Sequence, residues 1–261
     1  MPILTSSEYI GASKQVITFN KTASRTTVAA IPFSLFDTAG NPGAGSIVLG
    51  NTANGIVPTD AILGYPVINS ITGEGYLSVV NFASSGACRL AVYDCLFSAG
   101  SYTFNANTTL TSQPSYVSRL PNSDYKGTEL WIEAATAFTG NLSVQINYLD
   151  QDGNAGDTGV VATGAALILG RMMRIPLASG NSGVSQITQV RGTVATAGTF
   201  NVHVMRKLWE GRVNVANGGD RHGIYRTGMP QVYDTSALRV IITSDTTGSG
   251  LPTVDMEIAQ A

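Results

Sequence analysis

Short runs in which apolar and polar residues alternate constrain the fold of this chain more than any other feature. The clearest run, Leu142–Tyr148, has an aliphatic or aromatic residue at every second position and Ser, Gln or Asn between them. Successive side chains of a strand point to opposite faces, so this run predicts a half-buried strand of an antiparallel sheet. No stretch of a dozen residues has apolar positions at helical spacing. The sequence therefore predicts an all-β chain.

The composition agrees with short strands joined by turns. The chain has 29 glycines and 10 prolines, and charged residues make up only 12%. Soluble domains usually contain about 25% charged residues, so Ser, Thr, Asn, Gln and Gly must form most of the surface. Such a surface costs little to desolvate against a neighbouring protein, which favours packing in an assembly.

Strands are predicted throughout the chain, after a short N-terminal helix. We expect this helix to be capped by Thr5 or Ser6, with Glu8 near its first turn. The predicted strands fall in two sets separated by polar loops. They are Ile47–Leu49, Tyr76–Phe82, Arg89–Phe97, Leu130–Ala134 and Leu142–Tyr148, followed by Ala165–Leu169, Arg174–Leu177, Val184–Val190, Phe200–Trp209, Leu238–Thr243 and Val254–Ile258.

An internal repeat with an offset of about 110 residues predicts two related units. The hexapeptide Tyr125–Leu130 is echoed by Tyr233–Leu238, and the alternating run Val144–Tyr148 is echoed by Val254–Ile258. The shared order of these matches favours a duplication, so we predict two tandem antiparallel β-sandwich units of jelly-roll-like type. The predicted boundaries are 1–50 for an N-terminal arm or extra strands, 51–157 for the first unit and 158–261 for the second.

The charge and hydropathy of the chain argue against two classes of partner. A net charge of −2 gives no basic patch for nucleic acid, which needs clustered Lys and Arg. The longest apolar stretch, Val160–Leu169, is interrupted by Thr163 and Gly164 and is too short to span a bilayer. The first residues lack the basic start and apolar core of a secretory signal. We expect a soluble protein made in a cytoplasm, with neither nucleic acid nor a membrane as partner.

The sequence contains no recognisable catalytic centre, metal site or cofactor motif. Its two histidines fall in different kinds of segment, His203 in a strand and His222 in the polar loop 217–222, and no G-x-S-x-G elbow occurs. We interpret both as structural or solvent-exposed. Cys88 and Cys95 lie seven residues apart on one predicted strand, so they point to opposite faces and are expected to be reduced, partly buried thiols.

An acidic loop and scattered carboxylates are the remaining candidates for chemistry. Asp150–Asp157 places oxygen-bearing side chains at alternating positions, as a calcium loop would. Its Asp-Gly and Asn-Ala-Gly sequences favour tight turns, and Ala162 stands where an EF-hand has Glu, so we interpret it as a polar turn and leave an adventitious cation open. Trp131 and Trp209 are expected to be core or interface anchors, with sugar stacking as the alternative. The carboxylates left open for glycoside hydrolysis, although no motif singles one out, are Glu74, Asp94, Glu129, Glu133, Glu210 and Asp220.

Three consecutive segments resemble a known family. Leu130–Glu133 is a tryptophan-bearing strand, Leu142–Tyr148 is a strand that ends in Tyr, and Asp150–Gly156 is a polar Asp-Gly loop. This order is similar to a recurring pattern in structural proteins encoded in the head modules of tailed bacteriophages. The likeness covers mainly residues Gly127 to Gly156. Trp131 has Arg239 as its repeat equivalent, so equal roles for the two units are not expected.

The resemblance implies a virion component made in the cytoplasm of a host bacterium. Its expected function is to decorate and stabilise a phage capsid, as a cement protein does, with the major capsid protein and copies of itself as partners. The family has no catalytic residues to carry over to this chain, so no enzymatic activity is expected. The alternative is a tail- or fibre-associated module that binds host glycans through exposed Tyr and Trp. A glycan-cleaving enzyme is the third hypothesis.

Overall fold

The structure, a computed structural model, describes residue 3 and residues 5–260 and is all-β, as the alternating runs predicted. Its sheets are built from antiparallel strands. The helical elements are α1 Ser6–Gly11 and α2 Ile224–Thr227, with single 3-10 turns at Val117–Arg119 and Pro121–Ser123. The strands are β1 Ser13–Lys21, β2 Pro32–Ser34, β3 Gly40–Asn41, β4 Gly75–Ser84, β5 Cys88–Thr103, β6 Asn107–Thr109, β7 Thr128–Ala134, β8 Ser143–Asp150, β9 Ala155–Asp157, β10 Val161–Ala162, β11 Met172–Ile175, β12 Val184–Thr193, β13 Thr199–Val213, β14 Gly218–His222, β15 Gln231–Val232, β16 Leu238–Ser244 and β17 Pro252–Gln260.

Helix α1 is the short N-terminal helix that the sequence predicted, and Thr5 is its cap. Oγ1 of Thr5 accepts from the backbone N of Glu8 at 3.2 Å, and Oε2 of Glu8 accepts from the backbone N of Thr5 at 2.8 Å. This reciprocal pair satisfies two of the backbone donors that a helix start leaves without partners. Within the described part of the chain, no helix is long and apolar enough to cross a membrane.

Two predicted strands, Ile47–Leu49 and Ala165–Leu169, are wrong, because both segments are irregular. The carbonyl oxygen of Ile47 accepts from Nδ2 of Asn201 at 2.6 Å, so a side chain takes the place of a ladder partner. Leu167 is only 1% exposed. The apolar residues in these segments therefore contribute to the core without forming a sheet, a distinction that an apolar run alone does not make.

The chain divides into two compact units whose segments interleave along the sequence. Unit 1 comprises Met1–Ser46, Thr59–Asp94 and Leu208–Ala261, and unit 2 comprises Ile47–Pro58 and Cys95–Lys207. Two long strands cause the interleaving, since β5 leaves unit 1 after Asp94 and β13 leaves unit 2 after Lys207. The division that the structure shows therefore differs from the tandem boundaries 51–157 and 158–261. Most of residues 1–50 belong to unit 1, where they supply β1, β2 and β3.

Unit 1 is built from two sets of antiparallel strands. One sheet has the order β14-β4-β17-β1-β3 and carries β15 on β4, while β16 pairs with β5 on one side and with β2 on the other. Large apolar side chains such as Phe19, Phe82 and Val254 occupy the inward positions and are almost fully buried. Each such side chain contributes roughly 1.5–3 kcal/mol on burial, so the alternation of β1, β4 and β17 is what stabilises this sheet on its core.

Unit 2 has the same kind of organisation. One sheet has the order β10-β8-β12-β6 and carries β9 on β8, and β7 pairs with β11 on one side and with β13 on the other. One continuous core joins the inward residues of both sets, among them Ile132, Ile146, Val190 and Val204. The alternating run that predicted a half-buried strand forms most of β8, and its side chains Val144, Ile146 and Tyr148 lie in this core.

The ladders of the two units have the same register at the offset of the predicted repeat. In unit 1, Val254 of β17 pairs with Phe82 of β4, and in unit 2, Val144 of β8 pairs with Gly192 of β12. The two valines lie about 110 residues apart in the sequence, and so do Phe82 and Gly192. Both ladders shift register between the third and fourth residues after these valines. The same offset relates β7 to β16 and β5 to β13, and β16 pairs with β5 in unit 1 just as β7 pairs with β13 in unit 2. These matches support the duplication, which we keep as a proposal, and each unit combines strands from both repeats.

Candidate functional site

The most reactive combination of side chains is a Glu–His–Cys cluster in unit 2. In the ladder of β7 and β13, Asn201 pairs with Glu133, and His203 lies two residues further along on the same face. Oε2 of Glu133 is 3.1 Å from Nε2 of His203, and Nδ1 of His203 is 4.0 Å from Sγ of Cys95. The order of thiol, imidazole and carboxylate is that of a nucleophile with an oriented base.

This cluster is closed to substrates. Glu133, His203 and Cys95 are each 0% exposed. The 4.0 Å between sulfur and imidazole also exceeds the ~2.6–3.2 Å over which a base takes a proton directly. The cluster is therefore a buried hydrogen-bonded network in the core of unit 2. Sequence reasoning missed it because Glu133 and His203 lie 70 residues apart, and the one signal was an ionisable residue in each of two apolar strands.

His222 lies in unit 1 at the end of β14, so the predicted loop 217–222 is wrong: its last five residues pair with β4. Nδ1 of His222 accepts a hydrogen bond from Nε1 of Trp209 at 2.9 Å. Burial lowers the pKa of His222, and the charge of Arg226 lowers it further, while Asp220 opposes the shift. A neutral imidazole is thus favoured, and it acts as a hydrogen-bond acceptor for a buried tryptophan.

The two cysteines are free and buried, as expected of reduced thiols. Cys88 belongs to unit 1 and Cys95 to unit 2. Burial raises the pKa of the Cys88 thiol, so it stays protonated and weakly nucleophilic at neutral pH. Together with the closed cluster around Cys95, this leaves both thiols in packing roles.

The predicted acidic loop Asp150–Asp157 is in fact a hairpin, in which residues 151–154 form the turn between β8 and β9 and the carboxylates shape that turn. Oδ1 of Asp150 accepts from the backbone N of Asp152 at 2.9 Å and from that of Asn154 at 2.8 Å. Oδ1 of Asp157 accepts from a backbone N–H two residues further on, at 2.7 Å. In residues 3 and 5–260, no group of three or more His, Cys, Asp or Glu side chains could hold a metal ion. The loop has the geometry of the polar turn that its Asp-Gly sequence favours.

The residues considered for glycan chemistry are dispersed. Trp131 and Trp209 are 5% and 4% exposed, so neither offers a ring face on which a sugar could stack. Tyr225 is an aromatic residue whose surface is 94% exposed, so unlike the two tryptophans it is not packed in a core. The six carboxylates bind separate partners: Glu74 binds Tyr76, Asp94 binds Ser236, Glu129 binds Trp131, Glu133 binds His203, Glu210 binds Arg89 and Asp220 binds Arg226.

Exposed aliphatic side chains occur on the surfaces of both units. A single exposed apolar residue is ordinary, but here such residues stand on a surface poor in charge, with only 12% charged residues in the chain. Burying them against another protein would gain about 25 cal/mol per Å² of apolar area with little cost from stripping water from charges. The most exposed are Ile10, Val16, Leu63, Val67, Val160, Val194 and Val215, each between 65% and 76%.

Comparisons with known proteins give no family for this chain. No family model and no curated protein matches it. Among solved structures, the infectious bursal disease virus VP2 subviral particle is 10% identical with a TM-score of 0.22, and the likeness covers 96% of this chain and 80% of that one. The structure of the Gt strain of the same virus is 11% identical with a TM-score of 0.21, covering 95% and 81%. TM-scores this low carry no argument about the fold or function of this chain.

Proposed function

We propose that this chain is a structural component of a virion, and more closely a decoration protein that stabilises the capsid of a tailed bacteriophage. The sequence pattern of residues 127–156 is the support for the phage assignment. The proposed partners are the major capsid protein and further copies of the chain, with no role for nucleic acid or a membrane. The proposed location is the virion, after synthesis in the cytoplasm of a host bacterium.

The observation that carries this proposal is the exposed aliphatic residues on a weakly charged β surface. Val194 of unit 2 and Val215 of unit 1 are 71% and 66% exposed. The Ser, Thr, Asn and Gln residues around such positions can be desolvated at lower cost than charged groups. A surface of this kind gains free energy mainly by contact with another protein, which is what a shell component requires.

The proposed mechanism is thermodynamic. A protein that binds an assembled lattice, and not its free subunits, shifts the assembly equilibrium by mass action. At a free concentration one hundred times the dissociation constant, each bound site stabilises the lattice by about 2.7 kcal/mol. Many small contributions of this size, repeated over symmetric positions, would raise the temperature at which the capsid is disrupted.

The experiment has two parts. Mass spectrometry of purified particles of the phage that encodes the chain should find it in stoichiometric amounts. Capsids that lack the protein should disrupt at a lower temperature than capsids to which it has been added back. Absence from the particles, or capsids whose heat resistance does not respond to the protein, would rule the proposal out.

Point variants locate the binding surface in the same assay. Val194→Lys and Val215→Lys each place a charge on an exposed aliphatic position, and at least one of them should weaken binding to capsids roughly tenfold or more. Ser112→Lys adds the same charge at an exposed polar position and should bind like the parent protein. Equal binding by all three variants would show that neither aliphatic position lies in the contact.

The glycan-binding alternative has less support in the structure. It relied on exposed Tyr and Trp, and both tryptophans are buried. Tyr225 remains as an exposed aromatic residue, so a glycan array with the parent protein and a Tyr225→Ala variant is the decisive comparison. Binding that depends on Tyr225, in a protein that ignores capsids, would favour the alternative.

A further inference from the structure

One edge of the larger sheet of unit 1 is open along β1. On one side, β1 pairs with β17 from Ser13 to Asn20. On the other side, of the residues that the structure describes, only those of β3 pair with it, at Asn20 and Lys21. Alternate residues of Ser13–Phe19 therefore present backbone N–H and C=O groups with no ladder partner, while the groups of the residues between them point to β17. Such an edge is a template for another strand.

The open edge lacks the usual protection against strand addition. Proteins commonly guard an edge with charged side chains that project over it. Lys14 is the single charged residue of the edge, but its Nζ donates to the carbonyl oxygen of Tyr9 at 2.8 Å and to that of Ala12 at 3.1 Å. The ammonium group is thus held against the preceding segment, where it does not oppose an incoming chain.

A cavity of about 480 Å³ lies beside this edge, and its lining is mixed, with Thr18, Asn41 and Asp60 among aliphatic and aromatic residues. Val16, Leu63 and Val67 on its walls are 65%, 68% and 70% exposed. Asp60 is its one charged lining residue, and Oδ2 of this carboxylate accepts from the backbone N of Ile68 at 2.9 Å. The cavity therefore places three exposed aliphatic side chains beside the unpaired backbone of a strand.

Close to the cavity in sequence, the backbone of Asn69 bonds to a side chain of β1 and not to its backbone. Nε2 of Gln15 donates to the carbonyl oxygen of Asn69 at 3.0 Å, and the backbone N of Asn69 donates to Oε1 of Gln15 at 2.9 Å. Both bonds use the amide of the Gln15 side chain, so Asn69 does not occupy the backbone groups of β1. The backbone edge therefore has no ladder partner at this point among the described residues.

We propose that the Ser13–Phe19 edge captures an extended segment of another protein as an added strand. Only an extended main chain supplies the alternating donors and acceptors that match an open strand edge. The segment should be uncharged, because a charge placed between Val16, Leu63 and Val67 would lose its hydration without gaining a partner. It should carry small aliphatic side chains at alternate positions, which reach the cavity while the residues between them face solvent. This inference concerns the edge itself and stands independently of the capsid proposal.

Hydrogen–deuterium exchange on the full-length protein tests it. The probe is a blocked decapeptide of alternating threonine and valine, and the control probe has aspartate in place of each valine. With the first probe, those backbone amides of Ser13–Phe19 that do not already bond to β17 should exchange roughly tenfold more slowly, because hydrogen-bonded amides are protected. Val16→Lys should abolish the protection. Val160→Lys, which introduces the same charge at an equally exposed valine of unit 2, should retain it.

Three results would overturn the inference. The first is unchanged exchange in Ser13–Phe19 at a saturating concentration of the valine peptide. The second is equal protection by the aspartate peptide or in the Val16→Lys variant, since either result would show that the aliphatic side chains beside the edge do not select the bound strand. The third is protection of the same amides in the protein alone, together with a dimer that Val16→Lys dissociates, because the occupant would then be a second copy. Circular dichroism of both variants verifies that they are folded.

Discussion

The buried Glu133–His203 pair makes the sharpest prediction about stability. Glu133→Ala removes the carboxylate that lies 3.1 Å from Nε2 of His203 and 3.5 Å from Nδ2 of Asn201, all in side chains that are 0% exposed. Breaking a buried pair by removing one partner typically costs about 3–5 kcal/mol, because the remaining polar group stays buried without its acceptor. We therefore expect the free energy of unfolding to fall by about this amount. The midpoint of thermal unfolding should fall by roughly 10 °C.

Urea titration followed by circular dichroism, with a thermal scan of the same samples, measures this change. Glu210→Ala is the control, since its ion pair with Arg89 is exposed and should contribute less than about 1 kcal/mol. A double variant, Glu133→Met with His203→Leu, replaces both polar partners by apolar groups and should lose less stability than Glu133→Ala alone. If Glu133→Ala unfolds like the parent, or if the double variant is the less stable of the two, the reasoning about this network is wrong.

Three further predictions concern other parts of the fold. Burial lowers the pKa of His222 below its usual value near 6.5, so the contribution of this residue to stability is complete above that pH and is lost as the pH falls through the lowered pKa. The fluorescence of Trp209, measured in a Trp131→Phe variant, should therefore change on acidification. A fluorescence profile that stays flat down to about pH 4.5 would contradict this. Cleavage at a protease site inserted into the loop 151–154 should leave the two fragments associated in size-exclusion chromatography without denaturant, because β8 on one side of the cut pairs with β12 on the other. Gly183→Ala should destabilise the protein by about 1–3 kcal/mol, since a Cβ there would meet the carbonyl oxygen of a neighbouring backbone at 2.0 Å, whereas Gly11→Ala, with nothing within 4 Å, should leave the midpoint of urea unfolding unchanged or slightly raised.

The features that the sequence predicts correctly depend only on residues that lie close together in the chain. The alternation of Leu142–Tyr148 predicts which side chains of β8 are buried, and this prediction does not depend on which strand lies beside β8. The Thr5–Glu8 spacing places a helix cap because both partners belong to the same turn. Val144 and Val254, which the proposed repeat relates, have equivalent registers in their ladders.

The features that the sequence does not predict depend on which strands become neighbours. An alternating pattern gives β17 a buried face but does not say that its partners are β4 and β1. The interleaved units follow from that pairing, so the tandem boundaries at 51–157 and 158–261 could not anticipate them. The same holds for Glu133 and His203, whose contact exists only because β7 and β13 are adjacent. Trp131 and Arg239, which the proposed repeat relates, differ in chemistry, yet both are buried, at 5% and 2% exposure.

The interleaving of the units determines when each can be completed on the ribosome. All segments of unit 2 have been synthesised once Lys207 has been added, whereas unit 1 needs β17, which ends at Gln260. Strand β1 therefore waits for β17, with which most of its residues pair, while all the strands between them are made, which takes roughly 12–50 s at bacterial and eukaryotic elongation rates. During that interval Ile17 and Phe19, both buried in the finished protein, have no sheet to join. A chaperone that covers β1 during this interval would prevent these apolar side chains from aggregating.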